Sequence, residues 1–204
     1  MKLKKGFLFI LALNSSILLS NFTNVKAEES IHSNKLTLLS NQKRMTYDEI
    51  LSEMIKDGFS KEKALSILGT KPKISLRSSQ NEWYTTIEDT VNVTSEYRVK
   101  PKFYIKAEGA HGVYFIRQVL SASLDRSYNG ISKTFSGELY YNLESKTSLY
   151  YRLNGDFYNN GSINISGGAS IGLGQGASLN FGVSYSTSHY KYIYKEGYIN
   201  YGRY

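Results

Sequence analysis

Three histidines are the only imidazoles in the chain, and there is no cysteine. His32 stands in a polar stretch near the start, so acid–base or metal chemistry would fall to His111 or His189. His111 lies in Glu108-Gly109-Ala110-His111-Gly112, a carboxylate three residues from an imidazole. Glycine on both sides also suits a loop between two strands, and that is the expected role. Gly172-x-Gly174-x-Gly176 has the look of a phosphate cradle, yet no helical pattern follows it, and a cradle needs one. No serine-elbow motif occurs. The expectation is a chain without catalytic residues, cofactor or metal: not an enzyme.

Binding has better candidates. Tyr190, Tyr192, Tyr194 and Tyr198 fall on alternate positions, which on a strand makes one aromatic strip. Tyrosine joins a large apolar area to a polar tip, so such a strip can stack on sugar rings or anchor a protein. Lys191 and Lys195 occupy the opposite face. Their charges predict that the lysine/isoleucine face is the solvated one and that the tyrosines pack inward.

The longest signal is an uncharged segment. No Asp, Glu, Lys or Arg occurs from Phe157 to Tyr190. Within it Ile163, Ile165, Ala169, Ile171, Leu173, Ala177, Leu179, Phe181, Val183 and Tyr185 keep to odd positions, with Asn, Ser or Gly between them. Period two is the mark of a strand with one dry face. A three-residue loop, Gly174-Gln175-Gly176, sets Leu173 against Ala177, Ile171 against Leu179 and Ala169 against Phe181. The expected setting is a core hairpin. Each arm is also about as long as a tilted strand that crosses a bilayer, and the pattern resembles the stem of a β-barrel pore-forming toxin. Ile163, Ile165, Ile171, Leu173, Leu179, Phe181 and Val183 would then face lipid. Without charges the hairpin also lacks edge protection, so self-association is expected if it is exposed.

The neighbouring elements are strands of the same kind. Phe135, Leu139, Tyr141, Leu143, Leu149, Tyr151 and Leu153 share one parity. A loop at Glu144-Ser145-Lys146 sets Tyr141 against Leu149 and Leu139 against Tyr151, with Glu138 opposite Arg152 and Tyr140 opposite Tyr150 outside. Thr86 to Tyr97 and Val99 to Glu108 read as strands, and Pro101 in the second favours an edge strand or a place among its first residues. Val113 to Leu124 changes parity within itself, which predicts a bulge or a strand covered on both faces. A bulge or break is expected between Ser186 and His189, where the apolar parity flips. Ahead of the strands, Thr46-Tyr47-Asp48-Glu49 is a capping box. Tyr47, Ile50, Leu51, Met54 and Ile55 share a helical face up to Gly58. A second helix from Ser60 to Gly69 turns Ala64, Leu65 and Leu68 inward. The expected organisation is a signal peptide over 1–27, a flexible leader over 28–45, a helical hairpin over 46–69, a linker over 70–82 and an antiparallel β-domain over 83–204. Its fold class is mainly β, a sandwich or small barrel.

Lys2, Lys4 and Lys5 precede a short apolar run, and Val25-Lys26-Ala27 ends it with small residues, which predicts cleavage between Ala27 and Glu28. Loss of four lysines with that segment leaves 21 basic against 17 acidic residues. So mild a balance, with no basic stripe, points away from nucleic acid. Export without disulfides fits a Gram-positive bacterium. Together the lysine-rich signal, the capped helical pair and the Tyr/Gly/Asn-rich strands, as in Leu153-Asn154-Gly155-Asp156-Phe157-Tyr158-Asn159-Asn160-Gly161, resemble a family of small exported β-rich proteins of such bacteria. That resemblance implies a secreted or wall-associated location and a β fold. The functional expectation is an exported, non-enzymatic domain acting by contacts with a cell-envelope component or a protein partner. The alternative is a secreted, membrane-active protein using the 163–187 hairpin.

Overall fold

Thr46 opens the first helix as its capping box dictates. Its hydroxyl accepts from the Glu49 N–H at 3.3 Å, and Glu49 Oε2 accepts from the Thr46 N–H at 2.8 Å. The computed structural model describes residues 43–72, 81–111, 113–186 and 188–202. The signal peptide expected over 1–27 with its expected Ala27–Glu28 cleavage point, the leader up to residue 42, linker residues 73–80 and Thr187 lie outside the described residues.

Helix α1 (Tyr47–Lys56) and helix α2 (Lys61–Leu68) meet at Gly58, whose φ of +98° supplies the left-handed stop. Tyr47, Ile50, Met54, Ala64 and Leu68 are buried against Tyr84, Tyr104 and Leu120 of the strands, while Ile55 and Leu65 are exposed, against the spacing-based expectation. Two such short helices need this support, since neither buries enough surface alone. Lys102 fastens them: its ammonium lies 3.0 Å from Glu53 and 2.8 Å from Asp57. The Tyr104 hydroxyl donates to Asp57 at 2.5 Å. The leader, expected to be loose as far as residue 45, is already fixed at its end. Met45 exchanges two backbone hydrogen bonds with Tyr84, and the Arg44 guanidinium stacks 3.8 Å from the Trp83 ring.

The strands follow in chain order: β1 (Glu82–Glu88), β2 (Val91–Asn92), β3 (Arg98–Ala110), β4 (Val113–Asp125), β5 (Ser127–Tyr128), β6 (Ile131–Ser132), β7 (Thr134–Ser145), β8 (Ser148–Tyr158), β9 (Gly161–Gly167), β10 (Gly176–Ser186) and β11 (His189–Asn200). The fold is mainly β and antiparallel. One sheet has β3 at its centre, flanked by β4 on one side and by β1 and β2 on the other; a second runs β11-β8-β7-β10-β9; β5 and β6 form a small hairpin. The sheets pack as an open sandwich and do not close into a barrel. Their core joins Phe103 to Tyr141 and Tyr151, with ring centroids 5.8 and 5.9 Å apart, and Phe135 to Phe157 and Phe181.

Several expectations are corrected in detail. The strand expected over Thr86 to Tyr97 breaks after Glu88, and of the two places expected for Pro101 the structure takes the second, near the start of its strand, in a strand that is central and not at an edge. The two facts have one cause. Pro101 falls between the residues of β3 that pair β1 and those that pair β2, and its carbonyl accepts from Asp89 at that corner. On that side of β3 no strand pairs with Pro101, so the missing N–H breaks no ladder bond; on the other side Pro101 lies opposite Leu124 of β4. In β4 both expected devices occur: pairing with β3 slips twice, and residues Val119 to Leu124 are buried on both faces. Between β7 and β8 the buried parity holds, but Tyr141 faces Tyr151 and Leu139 faces Leu153, because Ser145 bulges and shortens the loop.

The uncharged hairpin is corrected most. Leu173 does not pair with Ala177, nor Ile171 with Leu179, nor Ala169 with Phe181; the pairs are Gly167 with Leu179, Ile165 with Phe181 and Ile163 with Val183. Gly167 and Gly168, at φ +77° and +73°, turn the chain out of β9 before the hairpin can zip further. The segment beyond crosses to the other sheet, where Ile171 exchanges two backbone hydrogen bonds with Val119. The turn itself spans Gly172 to Gln175, with Gly174 at φ +75°.

Candidate functional site

The tyrosine strip stands on the solvent side, contrary to the inward packing its lysine neighbours predict. Tyr192, Tyr194 and Tyr198 are 52, 53 and 39% exposed, while Ile193 and Ile199 on the opposite face are buried. Two features of β11 explain the reversal. As an edge strand it lets Lys191 and Lys195 reach solvent past the rim of the sheet. At Gly197 a Cβ would sit 2.7 Å from the Tyr151 ring, so the inward face admits that ring only because the residue is glycine. Tyr190 leaves the strip. The register slips between His189 and Lys191, and Tyr190 turns to Tyr97 and Thr94, its hydroxyl 3.1 Å from the threonine oxygen.

Strand order then adds residues from β8, β7 and β10 to the same face. Across the sheet the register lines up Tyr198, Tyr150, Asn142 and Gly176; then Glu196, Arg152, Tyr140 and Ser178; then Tyr194, Asn154, Glu138, Asn180 and Ser166. The Tyr150 ring lies 5.3 Å from that of Tyr198 and 6.2 Å from that of Tyr140. Tyr150 and Tyr194 both donate to Glu196 Oε1, at 2.7 and 2.6 Å, and Tyr192 donates to Asn154 at 2.8 Å. Burial and then the Glu196 carboxylate push the Tyr150 phenol up, and the hydrogen bond to Glu196 raises that of Tyr194. Both stay protonated donors. Glu138 accepts from Ser178 and, at 3.0 Å, from Arg152, whose guanidinium lies 5.3 Å from the Tyr140 ring. The Ser178 hydroxyl first, and Arg152 next, hold its carboxyl below the usual carboxylate range. The expected Glu138–Arg152 pair therefore forms, but along a diagonal, since Glu138 lies opposite Asn154.

On this face the Tyr150, Tyr192 and Tyr194 rings are tied by hydrogen bonds to neighbouring side chains of the sheet. Pre-fixed rings lose little freedom when a ligand stacks on them. The two described histidines differ in setting. His189 Nε2 is 2.8 Å from Asp156 and its ring abuts Tyr158, on the open sheet surface. His111 sits at φ +54° in the turn between β3 and β4, beside a depression of about 450 Å³ lined by Arg44, Asn81, Gly109 and Tyr114 and by no carboxylate. Among the described residues no group of three or more His, Asp or Glu is placed to hold a metal ion.

The candidate membrane residues divide. Ile171, Leu179 and Phe181 are buried in the sandwich core, with Ile163 packed against it and Val183 half-buried. Ile165 and Leu173 are 53 and 55% exposed. Among the described residues no helix is long and apolar enough to cross a membrane. Sequence reading missed the union of Tyr140, Tyr150, Arg152 and Glu138 with the strip. Their shared even parity was visible, but the adjacency of β11 and β8 is a long-range pairing that parity does not encode. Fold and face together define an open antiparallel sandwich with a polar, tyrosine-rich outer surface. Compared with models of protein families, with curated proteins and with solved structures, the chain matches none.

Proposed function

We propose that this chain is an exported, non-enzymatic β-domain that acts by surface contacts at the cell envelope. The tyrosine face of the five-stranded sheet is the contacting surface, and an envelope polysaccharide is its ligand class. The observation that carries the reading is the joint exposure of Tyr192, Tyr194 and Tyr198 on one face, with Tyr140 and Tyr150 beside them. Aromatic rings supply stacking area, and the Asn, Ser, Glu and Arg side chains between them supply hydrogen bonds of the kind sugar hydroxyls accept and donate. The lysine-rich n-region, the apolar run and the Ala27–Glu28 cleavage point support export.

Retention of the purified protein on insoluble cell-wall polysaccharide tests this. Tyr192→Ala and Tyr194→Ala should each weaken binding about tenfold, as loss of a stacked aromatic anchor does. Retention that both variants keep in full refutes the reading. A second reading, insertion of the 163–187 hairpin into a bilayer, draws on the exposure of Ile165, Leu173 and Tyr185 in an uncharged segment. It is the weaker one, because Ile171, Leu179 and Phe181 would have to leave the core.

A further inference from the structure

The sandwich has several sheet edges, and among the described residues one of them has no partner. The β1 edge is met by Met45 and the β4 edge by Ile171. The β11 edge carries Lys191, Lys195 and Glu196, which discourage a further strand. Strand β9 ends the five-stranded sheet, and among the described residues nothing pairs with its far side. It carries no charge, and Ile165 is half exposed. The Gly168 N–H donates to Ser178, so with the β9–β10 register the even residues bond towards β10. The backbone N–H and C=O groups of Ile163, Ile165 and Gly167 therefore point outward.

The sequence of β9 reads the same in both directions: Gly161-Ser162-Ile163-Asn164-Ile165-Ser166-Gly167. We propose that β9 pairs antiparallel with β9 of a second copy of this chain, about a two-fold axis at Asn164. In that register Ile163 meets Ile165 of the other copy, Ser162 meets Ser166, and Asn164 meets Asn164. Every outward backbone group finds a partner. Apolar side chains meet apolar ones on one face and polar meet polar on the other, so neither face is inverted. Two-fold pairing is open to any strand; a palindromic one sets each side chain against its own kind, with no like charges to repel. An unrelated partner strand would have no reason to match that symmetry. The inference stands apart from the tyrosine face and does not depend on it.

The chain has no cysteine, which allows a sharp test. In the proposed register two residues at position 164 lie opposite each other as a non-hydrogen-bonded pair, with Cα atoms about 4.5 Å apart, inside the range a disulfide spans. Two residues at position 162 are offset by four residues, about 13 Å along the strand. Asn164→Cys should therefore cross-link on mild oxidation to a species of twice the monomer mass, and Ser162→Cys should not. By sedimentation equilibrium the unmodified protein should be a dimer at high micromolar concentration, and Ile165→Lys a monomer with unchanged circular dichroism. A monomer at all concentrations overturns the proposal, as does equal cross-linking of both cysteine variants. So does a monomeric protein that co-sediments with phosphatidylglycerol vesicles through this edge.

Discussion

Truncating Leu179 to alanine removes a side chain that is 2% exposed, seated between the sheets with Phe181 and Ile171. Deleting a buried leucine costs the transfer free energy of the lost atoms plus the cavity left behind, about 2–5 kcal/mol. Ile165 sits on the facing strand of the same hairpin but is 53% exposed. Its truncation forfeits at most half the transfer energy and leaves no closed cavity, about 0.5–1 kcal/mol. With a urea slope of about 2 kcal/mol per molar, Leu179→Ala should move the unfolding midpoint down by about 1–2.5 M and Ile165→Ala by no more than about 0.5 M. Trp83 is the one tryptophan and is 8% exposed, so its fluorescence follows the transition. Equal midpoints for the two variants would mean that β10 is not rooted in the core, and the case against membrane insertion would go with it. The same scale bounds that insertion. Drawing Ile171, Leu179 and Phe181 out of the core costs about 5–9 kcal/mol, within the range of a whole domain's stability.

Two further outcomes are expected. Lys102→Met keeps the aliphatic stem but leaves Glu53 and Asp57 without their cation; the loss should be about 2–3 kcal/mol, and limited proteolysis should then cut within 47–68 before the strands. Burial pushes the Tyr97 phenol up to about 12 and raises Tyr104, Tyr141 and Tyr151 above their ordinary value of 10.0. Between the unfolded and folded values the native chain binds more protons, so stability is intact below about pH 10 and falls as pH rises through the folded values. Tyrosinate absorbance should then rise for these four only together with the loss of near-ultraviolet circular dichroism; smooth ionisation in a chain that stays folded would count against their burial.

Parity was the legible part of the sequence, and pairing was not. The buried faces of β7 and β8 follow from Leu139, Tyr141, Leu143, Leu149, Tyr151 and Leu153 alone, because a half-buried strand must alternate. Their register differs by two residues from the one expected because a bulge at Ser145 keeps the parity while shortening the loop, and two loops that keep parity look alike in sequence. In the uncharged hairpin the glycines at 174 and 176 carry the turn signal. Gly167 and Gly168 end β9 earlier, and the odd residues beyond them reach the core from a crossing segment instead of a strand. For β11 the lysines misled. Charge marks the solvated face of a central strand, but on an edge strand a long side chain escapes sideways, and Ile193 and Ile199 were the better guide. The helical pair was legible to its caps, since capping is local chemistry.

The tyrosine face and the β9 edge are linked by the geometry of the sheet that carries both. Strand β9 and the tyrosine strip lie at opposite ends of the order β11-β8-β7-β10-β9. Antiparallel continuation through β9 keeps each residue on its own face, so pairing two copies there builds a ten-stranded sheet whose two tyrosine strips face the same way, at its two outer ends. A repeating polymer could then be held at two points by one particle. The second contact is intramolecular, and its gain is set by effective concentration instead of by new contacts. The consequence separates the two ideas. Ile165→Lys leaves every tyrosine in place, so the affinity of one strip for a short oligosaccharide should not change while retention on the insoluble polymer falls at least tenfold. If retention on the polymer is the same for monomer and dimer, the two strips do not act together, whatever each binds alone.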